Sequence, residues 1–574
     1  MTTPGGWLLP LCVLLPFVGA MAALAIGGRN AQRVAMAAIV AGLGVALCNA
    51  VLFVESGRAV VYVLGGWEPP LGVALRADGL STAMLAAVAV VIAGIGVYAR
   101  ADFSAPAGAG EARGPLVYWL LLLAVWGSLN LVLVSGDLFT LYVALELLTF
   151  AGVPLVCLDG KGETLRAALR YLVYALAGSV LYLLGAVLLY GLCGTLDVPL
   201  VAERVHASPA AWMAIAMMTV GLLAKTALFP LHLWLPPALA GAPPAASAVL
   251  SALVVKGSFF IVIRLWFDAA PALPGLAAAQ ILAGLGAAAI LFGSLVALRQ
   301  PRLKLLIAYS TLAQIGYLFL MVPLAFDASS GGFVRGGALT AGMLQTIAHA
   351  TAKAAMFMAA GLLYKAYGHD RIGELSGAAR AAPLSVTAFV VGGVALMGVF
   401  PSGAYLAKKL LLDAADTSGQ WWWEVVLQGG GFLTASYVVL VVAHVARNGE
   451  AAAATVRVPR SQEIAALVLA LCSFALALAA VYGPVPGDLL GNPLAPKELI
   501  STLVTVAGGC ILALLFARDI PPLIPAGNPV RAATLALGGA FERTDTALRQ
   551  WAVAGLSLLV LAFLFGAAMR AHAA

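Results

Sequence analysis

The chain has 574 residues, of which 63% are hydrophobic and only 10% charged, with a formal net charge of +7. A soluble domain carries about 25% charged residues, so a water-soluble core is excluded and a polytopic membrane protein is implied. The basic excess lies in short loops rather than in one patch, which argues against a nucleic-acid partner.

Residues 6–26 form the first apolar run, and Arg29 and Arg33 come after it. That order predicts a first spanning helix with its N-terminus outside, not a cleaved signal peptide. Further spans are predicted near 33–54, 78–98, 115–134, 137–157, 168–192, 211–235, 240–266, 276–298, 303–324, 337–366, 384–411, 424–446, 462–482, 499–516 and 552–569. The total is about sixteen helices of bilayer-crossing length. The runs are continuous rather than alternating, which argues against a β-barrel. Residues 522–550 differ: PLIPAGNP precedes a segment with Arg531, Glu542, Arg543, Asp545 and Arg549 among small apolar residues. This reads equally as a short surface helix or as a solvated connector.

The odd-numbered loops hold Arg29, Arg33, Arg100, Arg113, Lys161, Arg166, Arg170, Arg299, Arg302, Lys304, Lys365, Arg371, Arg380, Arg447, Arg457 and Arg460, and the even-numbered ones far fewer basic residues. By the positive-inside rule the odd loops face the cytoplasm. The six cysteines form no CxxC pair, and GxGxxG, P-loop and HExxH motifs are absent. No cofactor, metal or redox centre is expected.

Charge inside a bilayer costs about 2.5–3.5 kcal/mol per residue even on the mild insertion scale, so it usually serves a purpose. Glu146, Lys225, Lys256, His349, Lys353 and Lys408 all lie within apolar runs. Lys409 and His444 sit nearer helix ends, where a side chain can snorkel to the headgroups. The others read either as structural ion pairs or as a proton relay. His349 and Lys353 are four apart and share one helix face. A buried lysine whose carboxylate partner can move is a switchable proton carrier.

Prolines supply the second signal. Pro230 and Pro236 interrupt the seventh span, and Pro401 interrupts the twelfth. A proline breaks the helix, and the freed backbone must then face protein or water rather than lipid. Two broken spans five apart, each carrying a lysine, suggest a repeated five-helix unit.

Together these segments resemble a known family: the antiporter-like subunits of respiratory complex I (NADH:quinone oxidoreductase), membrane-bound hydrogenases and Mrp-type sodium/proton antiporters. The resemblance rests on RADGLS (76–81), GDLFTLYVALEL (136–147), AKTALFPLHLWLP (224–236), VVKGSFFIVIRL (254–265), LKLLIAYSTLAQIGY (303–317), HATAKAAMF (349–357) and FPSGAYLAKKLLL (400–412). It implies an all-α integral membrane fold of about fourteen core helices containing two inverted five-helix repeats, here with about two extra C-terminal helices. It divides the chain into N-terminal helices (1–114), an ion-translocating core (115–446, with repeats 115–266 and 276–446) and C-terminal helices (447–574). Glu146 would pair with Lys225, Lys256 would sit at the centre, His349 and Lys353 would link the repeats, and Lys408 would lie on the exit side. Implied partners are other membrane subunits of a hetero-oligomeric complex, the lipid bilayer, and protons with or without sodium, in the bacterial cytoplasmic membrane. A non-conducting assembly scaffold and an energy-coupling subunit for inorganic-carbon uptake stay open as alternatives. The family usually reads WLPDAH where this chain has Trp234-Leu235-Pro236-Pro237-Ala238-Leu239, so the polar groups at the seventh-loop mouth differ.

Overall fold

The computed structural model describes residues 2–105, 112–447, 456–482, 496–516 and 529–572. The PLIPAGNP stretch, up to residue 528, lies outside the described residues. Fourteen of the described helices are long and apolar enough to cross a membrane, and two shorter apolar ones accompany them. The protein is therefore an all-α integral membrane protein.

Helices α1 (Leu8–Ile26) and α2 (Gly28–Ser56) lead into a small antiparallel ribbon, β1 (Val60–Val63) against β2 (Ala74–Ala77), with Val60 opposite Ala77. Helix α3 (Gly79–Asp102) starts there, capped by Asp78, whose carboxylate accepts from the Ser81 amide and satisfies an otherwise orphaned donor.

Two five-span units follow. The first holds α4 (Arg113–Val134), α5 (Leu138–Val156), α6 (Gly162–Cys193), the connecting α7 (Val198–Arg204), then α8 (Pro209–Thr226) with α9 (Leu235–Gly241) as one broken span. Its last span runs from α10 (Pro244–Val249) through a π turn into α11 (Val255–Arg264), ending in a second π turn at Ala269. The second unit holds α12 (Gly275–Leu298), then α13 (Leu303–Phe319) with its short continuation α14 (Met321–Leu324). A two-residue ribbon, β3 (Phe326–Asp327) with β4 (Gly332–Phe333), precedes α15 (Gly337–Tyr367). After the single turn α16 (Ala378–Ala381), α17 (Pro383–Leu396) and α18 (Gly403–Thr417) form the second broken span, and α19 (Trp421–Val445) closes the unit. Five crossings are an odd number, so the second unit enters the membrane from the side opposite to the first. The chain ends with α20 (Arg460–Tyr482), α21 (Pro496–Phe516), α22 (Pro529–Leu548) and α23 (Trp551–His572).

Ion pairs between loops obey this count. On the odd side, Asp102 after the third span meets Lys365 after the eleventh at 3.0 Å, and Arg302 after the ninth meets Asp370 at 2.9 Å. On the even side, Asp78 after the second span meets Arg264 at the end of the eighth at 2.7 Å and Arg335 after the tenth at 2.8 Å. Loops of like parity pair with each other, as alternating crossings require.

Both breaks are built alike. Helix α8 stops because Ala227 turns left-handed (φ 59°), which lets the Leu228 amide reach back to Leu223 O at 3.1 Å. Trp234 Nε1 then donates to Ala224 O at 3.0 Å, satisfying another end carbonyl. Pro236 stands in the first turn of α9, where its missing N–H is harmless. In the second unit Gly398 takes the left-handed position (φ 70°), Pro401 follows, and Ser402 caps α18 by accepting from the Tyr405 amide. Residues Ala227, Leu228 and Leu231 to Trp234 are buried in protein, as irregular backbone at membrane depth must be.

The first break is held close to α6. A Cβ on Gly221 would lie 2.3 Å from Gly178 O, and one on Gly178 would lie 2.6 Å from Gly221 O. Only paired glycines permit that approach, which sets the last two turns of α8 beside the polar face of α6.

Candidate functional site

Lys225 lies in the last turn of α8, immediately before the break. Its ammonium donates to Thr149 Oγ1 at 2.8 Å, to Glu146 Oε1 at 3.0 Å and to Leu145 O at 3.4 Å. All three acceptors lie on α5. Ser179 of α6 donates to the same Glu146 oxygen. All three ammonium hydrogens thus have acceptors, and one acceptor is ionic, which is what a cation needs away from water.

A run of hydroxyls leads onward. Thr226, next to Lys225, donates to Ser258 Oγ on α11 at 2.9 Å. Two residues earlier on α11 stands Lys256, fully buried, whose ammonium donates to the Ser251 carbonyl within the π turn. Such turns often mark functional sites; here the π turn carries the carbonyl that Lys256 reaches. Ser251 Oγ lies 3.0 Å from Thr311 Oγ1 on α13, the first contact of this row with the second unit. The neighbouring Ser310 accepts from Lys353 of α15. His349 sits one turn earlier on α15, fully buried, and neither ring nitrogen has a partner among the described residues.

From Lys353 the polar route continues through uncharged residues; Gln314 and Tyr317 lie in the LKLLIAYSTLAQIGY segment, whereas no charge or motif singles out Gln345, Thr434 and Tyr437. The Lys353 ammonium is 5.9 Å from the centre of the Tyr437 ring. Gln314 donates to Tyr437 Oη at 3.3 Å and to Thr434 Oγ1 at 3.2 Å, and Gln345 donates to Gln314 Oε1 at 3.1 Å. Gln345 and Tyr317 then line a cavity with Lys408, Leu427 and Gly431. An adjoining cavity of about 390 Å³ is lined by Lys408, Lys409, Asp413, Asp416 and Glu424. Its acidic residues lie at the even-side end of α18 and the start of α19. Only the YSTLAQ run of α13, polar side chains inside an apolar span, signalled this stretch in the sequence.

Glu146, Lys225, Lys256, Lys353 and Lys408 thus follow one another along this line across both units, with His349 one turn from Lys353 and bonded to none of them. Pro230 lies inside the first break and Pro401 inside the second, whereas Pro236 opens the half-helix beyond. His444 is buried, with Nδ1 2.8 Å from Leu440 O, and lies off the line. Lys409 flanks it, with its ammonium 6.0 Å from the Tyr405 ring centre. Lys304, read as a loop residue, is buried and donates to Ala242 O at the seventh-loop mouth.

This fold, with a broken span in each unit and buried bases between them, defines a polytopic membrane protein of the antiporter-like class. The chain belongs to the NADH:quinone oxidoreductase/Mrp antiporter transmembrane family, whose profile matches residues 135–434. It is 32% identical over 441 residues to NADH-quinone oxidoreductase subunit N of Desulforudis audaxviator, covering 75% of this chain and 85% of that one. It is 26% identical over 410 residues to the D-type component of the Na(+)/H(+) antiporter of Alkalihalophilus pseudofirmus, covering 71% and 80%. A chain in the structure of the Mrp complex from Dietzia sp. DQ12-45-1b superposes with a TM-score of 0.73 at 24% identity, over 88% of this chain and 100% of that one.

Proposed function

We propose that this chain is a proton-translocating subunit of a multisubunit membrane complex. The observation that carries the reading is the Lys225–Glu146 pair, 3.0 Å apart and buried beside a helix break. A break supplies mobility and the pair supplies a charge whose partner can be withdrawn. When Glu146 holds Lys225, the lysine keeps its proton. When the break shifts the two apart, burial favours the neutral amine and the proton passes on. Thr226, Ser258, Ser251 and Thr311 are hydroxyls, each able to donate and accept, so they can hand a proton between the lysines. Lys408 receives it beside a cavity whose volume has room for roughly ten waters.

The donor set supports a proton as the ion. Between Lys225 and Lys408 the line offers amines, an imidazole, hydroxyls and amides. The amines and the imidazole take up protons and the hydroxyls can relay them, whereas a hard cation prefers oxygen-rich, anionic surroundings. Exchange for sodium elsewhere in the complex is compatible with this. The relatives are components of larger assemblies by name, and the resident complex supplies the drive. The predicted orientation, odd loops in the cytoplasm and N-terminus outside, places Lys408's acidic cavity on the outer side of the bacterial cytoplasmic membrane.

The test is proton flux in proteoliposomes containing the whole complex, purified through a tag on this chain. Lys225→Ala is expected to assemble and to abolish flux. An assembled Lys225→Ala complex with undiminished flux ends this mechanism, and loss of assembly in every substitution along the line favours a scaffold.

A further inference from the structure

Helix α22 brings a carboxylate to the first break from the far end of the chain. Asp545 is buried, and its Oδ1 lies 3.0 Å from Nε2 of His232. Its Oδ2 accepts from Tyr309 Oη of α13 at 2.6 Å and pairs with Arg549 at 2.8 Å. His232 lies in the segment between α8 and α9 and is fully buried, and its Nδ1 is 3.1 Å from Pro230 O. Phe229 and Phe292 pack against the ring, and Phe541 packs against Phe292. One turn back on α22, Glu542 pairs with Arg299 at 3.1 Å. Arg299 follows the ninth span, so this end of α22 lies on the odd-loop face, the same face as the seventh-loop mouth. Pro237 and Leu239 at that mouth carry no charge.

The protonation of this cluster is set by geometry. A neutral imidazole has one donor nitrogen and one acceptor nitrogen. Here both nitrogens face oxygen. The Pro230 carbonyl can only accept, so Nδ1 carries a hydrogen. Nε2 must then either donate to the Asp545 carboxylate or accept from its acid form. Either way the pair holds one proton more than a neutral imidazole and a carboxylate. Tyr309 and Arg549 both favour the ionised carboxylate, so the extra proton belongs on the ring.

We infer that His232 and Asp545 form a proton-holding pair at the break of the first unit, with helix α22 supplying the counter-charge. This rests on the proposed proton translocation. It gives the C-terminal extension a role: α22 completes a site of the core. Because Asp545 touches both the break of the first unit and α13 of the second, α22 also ties movement of the break to the neighbouring unit.

Solid-state ¹⁵N NMR of histidine-labelled full-length protein in its complex reads the proton directly, with the His232 signal assigned by its loss in His232→Gln. The expected result near neutral pH is an imidazolium at His232 in the native protein, a neutral ring in Asp545→Asn, and restoration in Asp545→Glu. A neutral ring in the native protein overturns the inference whether or not Asp545→Asn folds; so does an imidazolium that persists in Asp545→Asn. In flux assays His232→Gln is expected to slow translocation about a hundredfold or more, the range a positioned proton carrier contributes; native flux would overturn the role at the break. Should Lys225→Ala leave flux intact, the relay fails while the NMR result still decides the pair.

Discussion

Lys225 and Glu146 are each other's charge partner inside the membrane, 3.0 Å apart, with their side chains 6% and 14% exposed. Removing one charge leaves the other stranded. Glu146→Gln is therefore expected to destabilise the protein by about 3–5 kcal/mol. Adding Lys225→Met should recover most of that loss while flux stays absent. Thermal unfolding in detergent and flux in proteoliposomes measure the two halves separately. A double variant as unstable as the single one would show that the pair is not what stabilises this contact.

Lys353 differs. Its ammonium has Ser310 and the face of Tyr437, and among the described residues no carboxylate reaches it. An unpaired buried amine costs stability rather than supplying it. Lys353→Met is expected to be neutral or stabilising by about 1–4 kcal/mol, the range seen when buried charge is replaced by apolar volume, and to stop translocation. Stability and flux moving in opposite directions would separate a functional lysine from a structural one. Parallel loss of both argues for a packing role.

Much of this architecture was legible in the sequence because the bilayer sets simple demands. Long apolar runs gave the spans, loop arginines gave the alternation of sides, and Pro230 and Pro401 marked the broken spans. Lys225, Lys256 and Lys353 stood out because charge is rare at that depth. The rest was hidden for physical reasons. Ser251 costs little inside a helix bundle and carries no compositional flag, and Thr311 and Gln314 show only as part of the polar YSTLAQ run. The stop of α8 is set by Ala227, a residue type with no turn preference, whereas Gly398 signals its own break. Asp545 is separated from His232 by 313 residues, and nothing local indicates that one face of this mostly exposed C-terminal helix sets a carboxylate against the core.

Gln314 is the junction between Lys353's surroundings and the Lys408 cavity. It donates to Thr434 and Tyr437 and accepts from Gln345. Gln314→Leu keeps the volume near the original and removes these bonds. Each neutral hydrogen bond contributes about 0.5–1.5 kcal/mol net, so the folding cost should be modest. Flux is expected to fall, because the amide holds Tyr437, Thr434 and Gln345 in register along the route. Gln314→Glu, which keeps an acceptor, should retain part of it. Unchanged flux in Gln314→Leu would route the proton elsewhere between Lys353 and Lys408.

The even-side ion cluster makes a prediction about pH. Arg264 reaches Asp78 at 2.7 Å, Asp268 at 2.7 Å and Ser81 at 2.7 Å, and Arg335 pairs with the same two carboxylates. The cluster ties α3, α11 and the loop before α15. Burial alone would push the Asp78 carboxyl up, but the hydrogen bond and charge of Arg264 outweigh it and hold the group well below the usual carboxylate range. A carboxyl depressed on folding stabilises fully above its unfolded value of about 3.9 and loses that contribution as pH falls toward its folded value. Thermal stability should therefore stay insensitive to this cluster from neutral pH down to the ordinary carboxylate range and decline only below it. Asp78→Asn should be destabilised at neutral pH, because two arginines lose a partner, and the difference from the native protein should narrow in strong acid. A native protein whose stability already falls between neutrality and the ordinary carboxylate range, with the fall absent in Asp78→Asn, would contradict that sign.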